Sequence, residues 1–424
     1  MHSSMNVILH TIKKNLCFLI LFILFFFCHV VYSQAVGSQT ENQNFHDSIY
    51  PQKDVIDLLK HVFSVKRDTI DDSTAVKPGK LLLAVVPAVG YAPQTGATAL
   101  LAANLSFYVG KVSNTKLSTV VFSQNYSFRN QIIIPVVSNI WTPRNKLNLL
   151  GDWRFYKYPT YTYGLGDNTT MANADLINYS YIKIYQQVLK KIIHHLYTGL
   201  GYGLDYHFNI HEEGETSNFS SYNNGATKTV SSGALVNLLY DSRNNINNPD
   251  EGTYCSIKYH PCFTVLGSDN NWQSIVGDFR KYIKLSPKGN HILALWSLNW
   301  FTFGGKVPYF DLPSTGWDTY SNSGRGYVQG RFRSNNMLYI ETEYRFNITK
   351  NGLFGGVVFA NAQSLSVAQN TSTWSGTTFQ SIYPAAGTGI RIKVNKYSKV
   401  NFAIDYAVGI GGSHGLYFNL SELF

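Results

Sequence analysis

Charged side chains recur at every second position of one predicted strand in the C-terminal third of the chain. They are Glu341, Glu343 and Arg345, and Arg391 and Asp405 are predicted on the same inner face of two later strands. Successive side chains of a strand point to opposite faces, so the first three must share one face. Carboxylates and guanidinium groups gathered on one enclosed face favour buried ion pairing, which is a structural chemistry rather than a bond-making one.

An arginine stands in the longest predicted loop, shortly before that strand, in the sequence Arg325-Gly326-Tyr327. A loop that folds towards the enclosed face could place Arg325 against one of these carboxylates. Such a pair would be partly desolvated, and its strength would depend on its geometry. The alternative is an ordinary outer loop in which an Arg-Gly pair occurs by chance.

A second group of charged and turn-forming residues lies in a predicted turn, where Asp241 and Arg243 are followed by Pro249 and Gly252. Proline fixes φ and glycine permits positive φ, so a plain turn explains Pro249 and Gly252. It explains Asp241 and Arg243 less well.

The sequence predicts no catalytic residue, no metal ligand and no cofactor site. Gly411 to Gly415 fits the letters G-x-S-x-G, but that motif needs a strand–turn–helix elbow, and here it lies between two predicted barrel strands. His207 and His211 are four residues apart, yet one ends a predicted strand and the other lies in the loop beyond it. No Cys and His residues have a convincing metal-ligand spacing.

Composition indicates the kind of fold that must position these residues. The chain has 424 residues, of which 15% are aromatic and only 14% are charged. Many Tyr, Phe and Gly residues with few charges fit a membrane barrel with aromatic girdles at two interfaces. The net charge is +10, but the Lys and Arg residues are scattered, so no nucleic-acid partner is expected.

Apolar and polar residues alternate from Lys80 to Phe424, as in the run from Val400 to Gly409, where Ile404 faces one way and Asp405 the other. Such runs predict sixteen strands, an even number as bacterial barrels require, and the last of them is predicted over 415–424. The links that follow even-numbered strands are mostly short, whereas several of the links that follow odd-numbered strands are long. The predicted fold class is all-β, a transmembrane antiparallel β-barrel of about 16 strands with a short N-terminal periplasmic segment.

The N-terminal part differs from the rest of the chain. Lys13 and Lys14 precede an apolar run, and the residues at positions −3 and −1 before a cleavage site after Ser33 are small or tolerated there. This pattern is typical of a secretory signal peptide. In the polar stretch that follows, Val55 and Leu59 are among the apolar residues that could share one face of a single helix. The predicted organisation is a signal peptide over 1–33, a short periplasmic segment over 34–79 and an outer-membrane barrel over 80–424.

These motifs occur in one order along the chain. Asp-x-Arg…Pro-x-x-Gly precedes the ninth predicted strand, Arg-Gly-Tyr precedes the twelfth, Glu-x-Glu-x-Arg-Phe lies on the twelfth, Gly-x-Gly-x-Arg lies on the fourteenth, and Phe424 ends the chain. With the opening hairpin, Pro87 to Gly96, this order resembles the bacterial surface antigen superfamily of outer-membrane assembly and translocation factors (BamA/TamA-like barrels). The resemblance covers roughly 80–424.

The resemblance implies roles for several of these residues. The family's loop arginine maps to Arg325 and its lumen partners to Glu341, Glu343 or Asp405, a contact that holds the loop inside the barrel. Phe424 corresponds to the C-terminal strand signal, and the seam between the first and last strands is expected to be weak. Two features depart from the family. Asn361 stands where an acidic residue is common, and 34–79 is too short for one of the usual periplasmic repeat domains.

The expected function is therefore outer-membrane protein assembly or translocation in a Gram-negative bacterium. The expected partners are outer-membrane lipid, client outer-membrane proteins and periplasmic accessory proteins. A passive channel or structural barrel is the alternative, and a lipid-modifying barrel enzyme is a third reading. An enzyme is not predicted, because no Ser and His pair with an orienting group lies on one outer strand face.

Overall fold

The wall of the barrel is made of strands whose side chains alternate between an exposed outer face and a covered inner face. Ile340 is 60% exposed, whereas its neighbour Glu341 is 4% exposed. This alternation suits a strand that has lipid on one side and a filled lumen on the other. The computed structural model describes residues 51–62, 77–92, 96–127, 130–213, 218–223, 225–287, 291–366 and 379–424.

Two α-helices and seventeen strands make up most of the regular structure of these residues, together with five 3-10 helices of three residues each. The helices are α1 (Val55–Val62) and α2 (Asn218–Asn223). The strands are β1 (Leu82–Ala92), β2 (Gly96–Phe107), β3 (Ser118–Ser127), β4 (Ile132–Trp141), β5 (Leu147–Lys157), β6 (Thr160–Thr162), β7 (Asp175–Ile193), β8 (Leu196–Glu212), β9 (Thr229–Asp241), β10 (Gly252–Cys262), β11 (Trp272–Lys284), β12 (Ile292–Phe303), β13 (Asn336–Asn347), β14 (Phe354–Leu365), β15 (Tyr383–Asn395), β16 (Val400–Gly409) and β17 (His414–Leu420).

From β1 to β17, each strand except β5 pairs antiparallel with the next along the chain, and β5 pairs with β7. The three-residue strand β6 pairs with β7 beside β5, so the two count as one, and the barrel has sixteen strands. The predicted all-β antiparallel barrel is confirmed. Short turns, such as 194–195 and 396–399, lie at one end, and the links at the other end include the long segment 304–335. We call these the short-turn end and the long-loop end.

Helix α1 is held at the short-turn end. The carboxylate of Asp54 accepts a hydrogen bond from the backbone N–H of Asp57 at 2.9 Å, which caps the first turn of the helix. Asp54 also accepts from the N–H of Lys396 at 2.9 Å, and the ammonium of Lys396 lies 3.1 Å from Asp57. No helix within the described residues is long and apolar enough to cross a membrane. The predicted signal peptide, 1–33, lies outside the described residues.

The first and last strands lie side by side without a ladder between them. Over the described residues, no backbone pairing joins β1 to β17, although the two strands approach each other. Apolar side chains pack across this seam instead: Ala84 and Ala102 on one side contact Val394, Val400 and Leu420 on the other. The barrel is therefore nearly closed, and its seam lacks the hydrogen bonds that join all other neighbouring strands.

The last strand ends earlier than the sequence predicts. The sequence predicts a strand over 415–424, but β17 stops at Leu420, and the next four residues turn into the lumen. Phe424 stacks there on Trp296, with ring centroids 5.1 Å apart, and Arg345 donates to its carbonyl oxygen at 3.2 Å. These interior contacts replace the pairing that a longer strand would have made.

Candidate functional site

Four neighbouring strands, β13 to β16, form the wall that carries the inward charges. Glu341, Glu343 and Arg345 alternate along β13, Arg391 lies on β15 and Asp405 on β16. All five are buried inside the barrel. The period-two pattern of the sequence thus places them on one continuous inner surface.

Arg325 reaches this wall from the long loop. Its Nη1 donates to Asp405 Oδ2 at 2.6 Å, and its Nη2 donates to both Glu341 and Glu343. The guanidinium carbon lies 3.5 Å from the centre of the Phe359 ring, a favourable cation–π position. Burial disfavours the charged form of Arg325, but the surrounding carboxylates outweigh it and raise its pKa well above the ordinary value. The group therefore stays charged inside the lumen.

The ion pairs continue beyond Arg325. Arg345 Nη2 lies 2.7 Å from Glu343 Oε2, and Arg391 Nη1 lies 2.5 Å from Asp405 Oδ1. Arg391 also contacts Glu422 in the segment after β17, with Nε 2.8 Å from Oε2. Three guanidinium groups thus face four carboxylates in one buried network. We call it the lumen ion cluster: Arg325, Glu341, Glu343, Arg345, Arg391, Asp405 and Glu422.

Glu422 is the member of the cluster that sequence reasoning missed. Leu416 is 48% exposed on the outer face of β17, whereas the next residue, Tyr417, bonds to the loop inside. Had the strand continued, this parity would have turned Glu422 outward to lipid, where a carboxylate is costly. That conflict is the signal that could have predicted the inward turn.

The backbone around Arg325 fits closely against the wall. Gly326 has φ +102, and a Cβ there would lie 2.6 Å from Ala385 Cβ, so only glycine fits. The N–H of Gly326 donates to Tyr417 OH at 2.8 Å, and Tyr327 OH donates to Pro384 O at 2.6 Å. Both contacts position the arginine and tie the loop to β15 and β17.

Asn361 holds the same piece of loop from β14. Its Nδ2 donates to the carbonyl oxygen of Arg325 at 2.9 Å. A carboxylate at this position has no proton to donate and would add a fifth negative group beside the cluster. The amide is therefore suited to this loop conformation.

Asn361→Asp is expected to destabilise the barrel by about 1–3 kcal/mol, because the buried carbonyl of Arg325 loses its donor. Unfolding in urea, followed by tryptophan fluorescence, measures the loss. Asn361→Ala is the control, since it removes the bond without adding charge and should cost less. A variant Asn361→Asp as stable as the unmodified protein would contradict this role of the amide.

The loop also contacts the opposite wall. Ser231 on β9 donates to Asp311 Oδ2 at 2.6 Å, and Arg154 on β5 donates to the carbonyl of Thr319 at 2.7 Å. Burial and the neighbouring Asp205 raise the pKa of the Asp311 carboxyl well above its ordinary value. The loop therefore crosses the lumen and is held on both sides.

The predicted turn motif forms a separate cluster at the short-turn end. Arg243 Nη2 lies 3.0 Å from Asp241 Oδ2, and Lys116 lies 3.0 Å from the other oxygen of the same carboxylate. Pro249 is buried in the same turn. Gly252 has φ +106, and a Cβ there would meet Ser242 O at 2.5 Å. The structure thus joins Asp241 and Arg243, and neither contacts Arg325.

A comparison with protein-family models gives one match, to the Omp85 superfamily domain, over residues 152–424. The chain belongs to the Omp85 superfamily. The matched part contains the turn motif, the long loop and every strand of the lumen ion cluster, so the family resemblance predicted from the motifs is confirmed.

Two solved structures illustrate the similarity in fold. BamA from Haemophilus ducreyi lacking POTRA domains 1–3 is 15% identical, with a TM-score of 0.50 over 80% of this chain and 70% of that chain. CdiB from Escherichia coli is 11% identical, with a TM-score of 0.51 over 82% of this chain and 63% of that chain. The chain thus spans less than two thirds of CdiB, and at these identities the likeness shows the fold alone. No curated protein matches the chain.

The lumen of this Omp85 barrel keeps a cavity of about 230 Å³ beside the loop. Ion pairs line it, with Arg154 Nε 2.6 Å from Asp152 and Arg280 Nη2 2.7 Å from Asp278. These oppositely charged side chains pair with each other on the same stretch of wall, so the charges around the cavity are largely balanced.

Proposed function

We propose that this Omp85 barrel inserts or translocates other proteins at the outer membrane of a Gram-negative bacterium. The supporting observation is the complete burial of Arg325 among three carboxylates. Apolar residues of similar volume often stabilise a protein as well as a buried ion network does. Such a network therefore points to a need for one defined loop position rather than for stability.

The proposal includes an orientation in the membrane. The exposed outer face of the strands meets lipid, the short-turn end faces the periplasm, and the long-loop end faces outward, as is usual for these barrels. Residues 1–33 are proposed as a cleaved signal peptide, 34–79 as a periplasmic segment and 80–424 as the barrel. Helix α1 would then lie on the periplasmic side.

Clients would bind at the seam. The edge of β1 that faces β17 has no ladder partner over the described residues, and an unpaired strand edge is a template for another strand. The mechanism needs strand exchange and no chemical step, so no enzymatic activity is proposed. Client capture would fall to periplasmic accessory proteins, because the described residues before β1 hold a single short helix.

Depletion of the protein is expected to lower the levels of many unrelated outer-membrane barrels together, with unfolded precursors building up in the periplasm. Quantitative proteomics of the outer-membrane and periplasmic fractions measures both. An outer-membrane proteome that stays unchanged after depletion would contradict an assembly role.

A passive channel is the second candidate, and the charged cavity beside the loop supports it. A channel would give steady conductance in planar bilayers that client proteins do not alter. An assembly barrel with the loop held in place should show little steady conductance, because Arg325 and its partners fix the loop across the lumen.

A further inference from the structure

The turn 242–251, which joins β9 to β10, reaches the interior of the seam. Its residue Asn247 lies between the two sides, although β9 and β10 stand far from β1 and β17 around the barrel. Asn247 is 4% exposed and belongs to neither the lumen ion cluster nor the ion pairs of Asp241. A buried amide of this kind needs hydrogen-bond partners, and its partners show what it holds.

On one side of the seam Asn247 binds the first hairpin. Its Oδ1 accepts a hydrogen bond from Asn104 Nδ2 at 2.9 Å, and its Nδ2 donates to Ser106 Oγ at 3.1 Å. Asn104 and Ser106 are adjacent inward positions of β2, and both are fully buried. Through β2 these bonds reach β1, which pairs with it along its whole length.

On the other side the same residue binds the end of the barrel. Asn247 Nδ2 also donates to the carbonyl of Ser398, in the turn between β15 and β16, at 2.9 Å. Its backbone carbonyl oxygen accepts a hydrogen bond from the N–H of Glu422 at 2.9 Å. Asn104 in addition donates directly to Ser421 Oγ at 3.1 Å. One residue thus bonds to both sides of a seam that has no ladder.

We propose that Asn247 is the residue that closes the seam at the short-turn end. The turn 242–251 acts as an interior clasp, and the first hairpin separates from β17 only when the turn withdraws. The proposal goes beyond the proposed function and does not depend on it, because closure is a property of the barrel alone. It makes Asn247 a positioning residue for β1 and β17.

The physical reason lies in the small number of polar contacts at the seam. Every other neighbouring pair of strands shares a ladder of backbone hydrogen bonds, whereas β1 and β17 share small apolar contacts and the bonds of Asn247 and Asn104. Each buried bond contributes about as much as a ladder bond. Loss of several at once therefore removes a large share of what holds the seam.

Hydrogen exchange by mass spectrometry on the full-length barrel in detergent tests the clasp. Asn247→Ala is expected to speed amide exchange in peptides covering β1 and β17 by at least about tenfold, because the side-chain bonds to Asn104, Ser106 and Ser398 are lost while the backbone bond to Glu422 remains. Peptides covering β5, which borders neither the seam nor the turn 242–251, should be unchanged. Asn244→Ala is the matched control, because Asn244 is exposed in the same turn and bonds to Asp250.

A second variant keeps the proposal testable if Asn247→Ala does not fold. Asn247→Asp keeps the size of the side chain and the acceptor for Asn104, but it loses the donor to Ser106 and Ser398, so it should speed the same peptides. Folding is checked by the heat-dependent gel shift of intact barrels. The proposal is contradicted if both variants fold and the amides of β1 and β17 exchange in them at the rate of the unmodified protein, or no faster than in Asn244→Ala.

Discussion

Arg325→Ala is expected to destabilise the barrel by about 3–5 kcal/mol, because removing one partner of a buried ion network leaves its other charges uncompensated. Glu341, Glu343 and Asp405 would then face one another across the space left by the guanidinium. The loop should leave the wall, and Ser323, which is 4% exposed, should become accessible. Urea unfolding followed by tryptophan fluorescence measures the first effect. Maleimide labelling of a cysteine at 323 measures the second.

Arg331→Ala is the matched control for that variant. Arg331 lies in the same loop, but it donates to the hydroxyl of Thr169 at 2.7 Å and to the backbone carbonyl of Thr169 at 2.6 Å. Both acceptors are neutral, and neither belongs to the lumen ion cluster. Its removal should cost about 1–2 kcal/mol and leave position 323 protected. Equal losses for the two variants would mean that the loop is held by its general packing and not by the ion cluster.

The second large effect is expected at a glycine. Gly389 on β15 lies opposite Asp405 on β16, and a Cβ at this position would overlap the Asp405 carboxylate. Gly389→Ala should push the carboxylate away from both Arg325 and Arg391, at a cost of about 3 kcal/mol, because overpacking and loss of a buried ion partner add together. The loop should be released, as in Arg325→Ala, with the same label reporting it.

Gly277→Ala supplies the comparison. Gly277 is also a strand glycine, on β11, and the nearest atom to an added Cβ is Asn299 O at 4.0 Å. Alanine fits there, so stability should change by less than about 1 kcal/mol in either direction. If Gly389→Ala changed the stability as little as Gly277→Ala, the absence of a side chain at 389 would not be what allows the Asp405 carboxylate its position.

Much of the barrel can be predicted from the sequence because its strands follow one simple physical rule. The alternation of Ile340, Glu341, Thr342 and Glu343 determines which residues face inward, and the structure places them so. Register then follows from the short turns. The residues that meet on the inner wall, including Arg391 and Asp405, could be named because their strands have the same alternation.

The contacts that could not be predicted are made by segments whose sequence has no repeating pattern. Nothing in the spacing of the turn 242–251 places Asn247 against Asn104, because a turn carries no repeating pattern and its partner lies more than a hundred residues away. The inward turn of Glu422 was missed for a related reason. A period-two pattern predicts that a strand continues, and only the cost of a carboxylate in lipid indicates where it must stop.

The loop lies between these two cases. Arg325 could be matched to a set of carboxylates by charge, but which ones it would bind depends on the course of the loop across the lumen. The structure shows that it binds three, and that Asn361 and Tyr417 bind the C=O and the N–H of the peptide group between Arg325 and Gly326. The arginine is therefore one part of a larger fit between loop and wall.

The most direct test of the loop's role is the outer-membrane proteome of cells in which the chromosomal copy carries Arg325→Ala. The comparison strain carries Arg331→Ala, and both barrels must be present in equal, folded amounts by the heat-dependent gel shift. If the held loop is needed for assembly, many unrelated barrels should fall in the Arg325→Ala strain and remain unchanged in the control. A normal proteome with a folded Arg325→Ala barrel would contradict the central role given to this ion cluster.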